Sequence, residues 1–313
     1  MLKQLPAGMF TSLRTTFPAL APTSWQHRVQ RRILGVVRHR GVPADVEAFA
    51  LIDNPEVRLV NADSYLVDRL YWFGERYGYE PEVLRWWRLY CSRSTSILEL
   101  GANIGYFTVQ GAKAAPQARY VAVEPHPGCA GVCRENVRLN GLTNVEVVEA
   151  AAVGKVVTPS VTLITPGSRS RDHYAQAPCT GYVGRNEMYP DDPDDPSCGF
   201  VTVPAAALSD LLDGVDLLKM DVEGQEFSIL SPAFDQLAAA RPTMFVELLD
   251  DTPKLRSFIS ALCAATDYRC FVPTPERLIP LPVSDLASVS LASEFDTRDL
   301  ILTRDIVPEW SVA

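Results

Sequence analysis

From Ser96 onward, short apolar runs alternate with segments of helical period, the pattern of successive β-α units. Strands are predicted at residues 97–100, 119–123, 145–150, 217–220 and 243–246, with late strands near 269–272 and 300–303. Helices are expected after the first, second, fourth and fifth of these, among them 128–139, which Asn140-Gly141 would close. This alternation predicts an α/β fold built on a doubly wound, mostly parallel sheet. Ligands of such sheets sit at the carboxyl ends of the strands, where the strand order reverses.

The chain ahead of this region reads differently. Over residues 24–40, Trp25, Val29, Ile33, Val36 and Val37 recur at helical spacing among arginines, and Gly41 with Pro43 ends the segment. Such a basic amphipathic helix either packs on the body with its arginines in water or lies on an anionic membrane surface. Residues 45–87 are expected to be mainly helical, with Tyr71, Trp72, Trp86 and Trp87 marking a lid or side layer. The organisation expected is a basic arm (1–44), a helical layer (45–90) and a ligand-binding domain (91–313). An insert at 158–199, rich in Pro, Gly, Ser and Asp, interrupts that domain and is expected as a loop. Its run of acids from Glu187 to Asp195 has no loop-forming glycine and reads as a solvated turn in preference to a cation site.

Composition narrows the classes. The chain has 313 residues, 47% hydrophobic and 21% charged, enough for a full core without disulfides or metal. Its net charge of −9 disfavours nucleic acid as a partner of the whole molecule. The sum conceals an asymmetry: seven of the 29 basic residues and none of the 38 acids precede Asp45, so the rest carries 22 bases against 38 acids. No apolar run is long enough to span a membrane. No secretory signal is apparent, although the Arg-rich start overlaps in composition with organelle transit peptides. Seven cysteines without regular spacing read as reduced thiols, and a cytoplasmic location is expected. Cys129 and Cys133 lie four apart on a predicted helix beside Val132 and Val137, a core stripe with no further ligands in view, so no metal site is expected.

The chemistry gathers at strand ends. Glu99-Leu100-Gly101-Ala102-Asn103-Ile104-Gly105 closes the first strand, its glycines permitting a tight turn into a helix whose first N–H groups face a ligand. A dinucleotide fingerprint requires glycines where Asn103 and Tyr106 stand. An acid two residues before the first glycine suits a ligand bearing an ammonium group, and S-adenosylmethionine is such a ligand. Glu124 ends the second strand, 23 residues after Gly101, where a carboxylate accepts hydrogen bonds from a ribose of either a nicotinamide or an adenosyl cofactor. Glu149-Ala150-Ala151 after the third strand offers small residues against which an adenine ring would lie. The fourth strand closes on Lys219-Met220-Asp221-Val222-Glu223-Gly224-Gln225-Glu226, three acids and a glycine at the same sheet edge.

Together with Val-Glu-Pro-His-Pro at 123–127, Glu-Asn-Val-Arg-Leu-Asn-Gly at 135–141, Asn144-Val145, Phe245-Val246-Glu247 and Tyr79-Glu80-Pro81, these motifs resemble the FkbM-type S-adenosylmethionine-dependent methyltransferases. The resemblance runs from about Tyr79 to Thr303. It implies a seven-stranded Rossmann-like sheet with its last strand antiparallel, and a hydroxylated acceptor on a sugar, glycolipid or polyketide-type molecule. It places Glu99, Gly101 and Asn103 at the methionine part of the cofactor, Glu124 at the ribose and Asp221 beside the transferred methyl, with Ala102, Gly105, Phe107 and Pro125 as further cofactor-binding residues. Glu99 stands where Asp is common in the family, and the 158–199 insert is particular to this chain.

In-line methyl transfer to an alcohol needs alignment and a proton acceptor. Asp221, Glu223, Glu247 and His173, the only histidine of the insert, are the candidates. Two other readings stay open: a catalytically inactive cofactor-binding interaction module and an NAD-dependent oxidoreductase.

Overall fold

The computed structural model describes residues 41–43, 45–62, 64–165, 182–183 and 199–305. The basic amphipathic segment 24–40, His173 and the acidic run 187–195 lie outside the described residues. In chain order the elements are β1 (Ala48–Ala50), β2 (Arg58–Val60), α1 (Tyr65–Tyr77), α2 (Pro81–Cys91), β3 (Ser96–Leu100), α3 (Tyr106–Ala114), β4 (Arg119–Val123), α4 (Pro127–Leu139), β5 (Val145–Val148), β6 (Ala151–Val153), β7 (Ser160–Thr165), β8 (Tyr182–Val183) and β9 (Gly199–Ala207). There follow α5 (Leu208–Leu211), β10 (Leu217–Met220), α6 (Glu226–Leu230), α7 (Phe234–Ala240), β11 (Thr243–Glu247), α8 (Pro253–Ala265), β12 (Arg269–Pro273), β13 (Leu278–Leu281), α9 (Leu291–Phe295) and β14 (Asp299–Thr303).

The main sheet has the order β13-β12-β14-β11-β10-β3-β4-β5. Strands β3, β4, β5, β10 and β11 are parallel, and the last strand, β14, inserts antiparallel between β11 and β12. The expected seven strands are present, and β13 adds an eighth by folding back antiparallel on β12. From β3 the chain steps outward through β4 and β5, then returns to build β10 and β11 on the other side. The order therefore reverses between β3 and β10, where a crevice opens above the sheet.

Each strand's alternation sends its residues to opposite faces, and the sheet is covered on both. On one face Ile97, Tyr120, Leu217, Phe245 and Ile301 pack with β1, β2 and α1 to α4. On the other, Leu98, Leu100, Leu218, Met220, Val246 and Leu300 pack with α5 to α8. Trp87 of α2 is fully buried. Its ring meets Phe245 at 5.3 Å and Tyr120 at 6.4 Å edge-on, and its indole N–H donates to the Phe107 carbonyl at 3.1 Å.

Two expectations need correction. Residues 48–60 form a two-stranded antiparallel ribbon where helix was expected, because Asp53-Asn54-Pro55 forces a turn and the two flanking triplets pair. The ribbon docks on α4: the Arg58 and Val60 N–H groups donate to the side-chain oxygens of Asn140 and Asn136 at 3.0 and 2.7 Å. The insert is not loop from its start, since β7 pairs antiparallel with β9 over Ser160 to Thr165, and β6 pairs parallel with β9. The alternation of Val161, Leu163, Val201 and Val203 explains this, for they pack with Ala151 into a small core of their own. No helix among the described residues is long and apolar enough to cross a membrane.

Replacing Trp87 with Ala removes the ring that joins α2 to the sheet and one buried hydrogen bond. A loss of about 3–5 kcal/mol is expected in urea unfolding.

Candidate active site

The turns after β3, β4 and β10 enclose a cavity at the reversal of strand order. Its narrowest constraint lies where β3 and β10 end side by side. A Cβ on residue 101 would stand 1.8 Å from the Asp221 carbonyl oxygen, and φ there is +83°, so only glycine fits. Gly105 meets a different need. It caps α3 with φ of +81°, and a Cβ would fall 2.6 Å from the Cys133 sulfur, so this glycine lets α3 pack against α4 and does not line the cavity.

Between these glycines, Asn103 also adopts a left-handed conformation, which aims its N–H at the Glu124 Oε2 atom, 2.8 Å away. Glu124 Oε1 accepts the His126 N–H, also at 2.8 Å. Each oxygen keeps a lone pair, and the side chain lines the cavity although only 5% exposed. Burial pushes this carboxyl up to about 7, against the two N–H donors that lower it. A carboxylate fixed by the backbone with two lone pairs left over fits a pair of neighbouring hydroxyls such as a ribose presents.

Glu99 and Lys219 are direct register partners on β3 and β10, so their side chains leave the same face of the sheet. Both are buried and both line the cavity. Glu99 Oε2 accepts the Tyr120 and Thr108 hydroxyls at 2.5 and 2.7 Å, and burial holds its carboxyl above the usual range. Lys219 is 2% exposed; its Nζ lies 3.2 Å from Asp221 Oδ2 and 4.6 Å from the centre of the Phe107 ring. Burial alone would drive the ammonium toward its neutral form, but Asp221, Asp299, Glu80 and Glu99 outweigh it and raise its pKa. Glu247 and Asp299, register partners on β11 and β14, extend this polar layer one step beyond Phe245. Burial raises both, Asp299 to about 7. Acids thus outnumber bases around the cavity, which suits a cationic ligand.

Gly101, Ala102, Asn103, Phe107, Pro125, Ala151, Asp221 and Glu223 also stand around the cavity. Glu149 and Ala150 do not: Glu149 is tied to Arg134 at 2.9 Å, and Ala150 is buried beside the cavity wall, so the third-strand turn contributes Ala151 alone of that trio. Glu247 lies behind the wall, its Oε1 3.8 Å from Arg298. Lys219, Tyr79, Tyr106 and Leu163 are cavity residues to which the sequence reading gave no role. The signal for Lys219 was a lone charge inside the apolar strand Leu217-Leu218-Lys219-Met220.

A family model, the methyltransferase FkbM domain, matches residues 99–270, over half of the chain. The chain belongs to the FkbM methyltransferase family. Membership sets aside the nicotinamide reading, and the family's cofactor is S-adenosylmethionine. The fungal methyltransferase sdnD of Sordaria araneosa is 28% identical over 157 residues, 43% of this chain and 58% of that protein. A tRNA (guanine-N(7)-)-methyltransferase of Vibrio cholerae serotype O1 is 33% identical over 69 residues, 22% of this chain and 29% of that one. Among solved structures, the FkbM methyltransferase of Methylobacillus flagellatus KT aligns over 77% of this chain and 55% of that one, at 16% identity and a TM-score of 0.41. The chain spans less than two thirds of the length of each of these relatives.

Glu124, Glu226 and Asp299 all titrate near 7, raised chiefly by burial. A raised carboxyl binds its proton more tightly in the folded state, so the folded form gains relative stability as pH falls and loses it between about 4 and 7 as pH rises. The ligand-free FkbM protein is therefore expected to unfold at lower urea at pH 8 than at pH 5.5, with Glu124→Gln flattening part of that slope. A midpoint rising with pH would contradict the assignment.

Proposed function

We propose that this chain is an S-adenosylmethionine-dependent methyltransferase acting on a hydroxyl group of a sugar, glycolipid or polyketide-type small molecule. The carrying observation is one cavity that combines Glu124, prepared for two hydroxyl donors, with the carboxyl groups of Glu99, Asp221 and Glu223 on the same wall, against Lys219 as the lining cation. When bound, the cofactor supplies a methyl group already made electrophilic by its sulfonium. The chain's task is then alignment and the exclusion of water. Glu124 and Asn103 hold the ribose end, Glu99 faces the ammonium of the methionine end, and Asp221 borders the methyl. Phe107, Tyr106 and Leu163 keep that space dry. A small acceptor is favoured over RNA because the chain's net charge of −9 opposes a polyphosphate, whose binding depends on cationic contacts.

Calorimetry with S-adenosylmethionine and with NADH tests the cofactor, and incubation of cell extract with methyl-labelled S-adenosylmethionine, read by mass spectrometry, tests the transfer. Binding of the former alone and a labelled small-molecule product are expected. Glu124→Ala should weaken cofactor binding about ten- to a hundredfold, the value of charge-assisted hydrogen bonds. Unchanged affinity in that variant would refute the ribose assignment, and tight NADH binding without S-adenosylmethionine binding would refute the whole reading.

A further inference from the structure

The orientation of Glu99 is set from beneath the cavity. Tyr120 on β4 is the register partner of Ile97 on β3, so its ring leaves the sheet on the face that also carries Glu99. Its hydroxyl reaches forward along that face to stand 2.5 Å from Glu99 Oε2. Thr108, in the first turn of α3, brings its hydroxyl to the same oxygen at 2.7 Å. Both residues are fully buried, and neither lines the cavity. The tyrosine is held in turn: a Cβ on Gly111 would stand 2.9 Å from its ring, so the ring lies against α3 where a glycine leaves room, and Trp87 meets it edge-on. The Cys133 thiol lies 4.0 Å from the Thr108 oxygen. Burial raises the Tyr120 hydroxyl well above its usual range and the Cys133 thiol up to about 12, so both keep their hydrogens. Tyr120 therefore donates to Glu99, and Thr108, offered the thiol hydrogen, gives its own to the same carboxylate.

We infer that Tyr120 and Thr108 are positioning residues for the amino-acid end of the cofactor: their hydroxyls grip Glu99 by Oε2 and reserve its other oxygen, Oε1, for the ligand's ammonium group. This rests on the methyltransferase reading above. Because neither hydroxyl belongs to a cavity residue, each acts through Glu99. A glutamate left to rotate would exchange its two oxygens and would have to be ordered when the ligand arrives. One gripped by two donors on one side presents a fixed lone pair, and binding then costs little in side-chain ordering. The same two bonds favour the ionised form of a carboxyl that burial holds above its usual range, with Lys219 acting in the same direction. Only the ionised form attracts an ammonium as a charge, so the grip sets both the direction and the sign of this part of the wall.

The test measures, by calorimetry, the binding of S-adenosylhomocysteine and of 5′-methylthioadenosine, which share the adenosine and its thioether and differ in the amino-acid end. Wild type is compared with Tyr120→Phe, Thr108→Val, Glu99→Gln and the combined Glu99→Gln/Tyr120→Phe variant, and thermal unfolding of the same samples shows that each is folded. Tyr120→Phe and Thr108→Val are each expected to weaken S-adenosylhomocysteine about tenfold, the value of one hydrogen bond to a charged group, and to leave 5′-methylthioadenosine as in wild type. Added to Glu99→Gln, Tyr120→Phe should cost little more, because the ammonium has already lost its charged partner. Thr108→Val keeps the shape of its side chain and carries the same comparison where the phenylalanine variant does not fold. Unchanged S-adenosylhomocysteine affinity, an equal loss of both ligands, or a full tenfold loss on top of Glu99→Gln would overturn the inference alone. Failure of wild type to bind S-adenosylhomocysteine would overturn the methyltransferase reading and this inference together.

Discussion

One buried ammonium organises the centre of this molecule. Lys219 sits on a central strand among Asp221, Asp299, Glu80 and Glu99, and without it these acids would face one another in a space too dry to hold their charges apart. Their attraction to a shared cation lets residues from three strands and a helix start converge at one edge of the sheet. The Phe107 ring covers the ammonium and keeps water from screening it. Removing the lysine would leave the acids to neutralise themselves by taking up protons, changing both the shape and the sign of the cavity wall.

The register of adjacent strands, parallel for β3 and β10 and antiparallel for β11 and β14, brings these groups together without distorting the backbone. Glu99 and Lys219 face the same way because they are partners across β3 and β10, and Glu247 and Asp299 follow because they are partners across β11 and β14. Charged residues in buried strands ordinarily destabilise a sheet. Here they alternate with Ile97, Leu217 and Ile301 on the same face, so the polar layer is confined to the carboxyl ends, where a ligand belongs.

Much of this was legible beforehand. The strands 119–123 and 217–220 begin and end where the apolar runs do, and Gly101, Asn103, Glu124 and Asp221 meet at one cavity as their spacing implied. What escaped was non-local. The 48–60 ribbon exists because Asn136 and Asn140 on a distant helix satisfy it, and no periodicity reports that. Glu149 looked like a strand-end ligand, but its partner is Arg134, one helix away. Lys219 was visible only as an anomaly in an apolar strand, since its meaning depends on the register with Glu99.

Asn136 carries one more consequence. Its side-chain oxygen takes the Val60 N–H, while its amide gives a hydrogen bond at 2.8 Å to the Ile104 carbonyl inside the glycine turn. One fully buried residue thus ties the early ribbon to the loop that lines the cavity. The stretch matching the family, 99–270, omits the ribbon, the tryptophans of α2 and the strand β14 at the middle of the sheet. A fragment cut to those limits would leave the amide bond of Asn136 half satisfied, bare the tryptophan-facing side of the sheet and lack a strand between β11 and β12. The portion of the chain that inheritance marks out is therefore smaller than the portion that can bury its own interior.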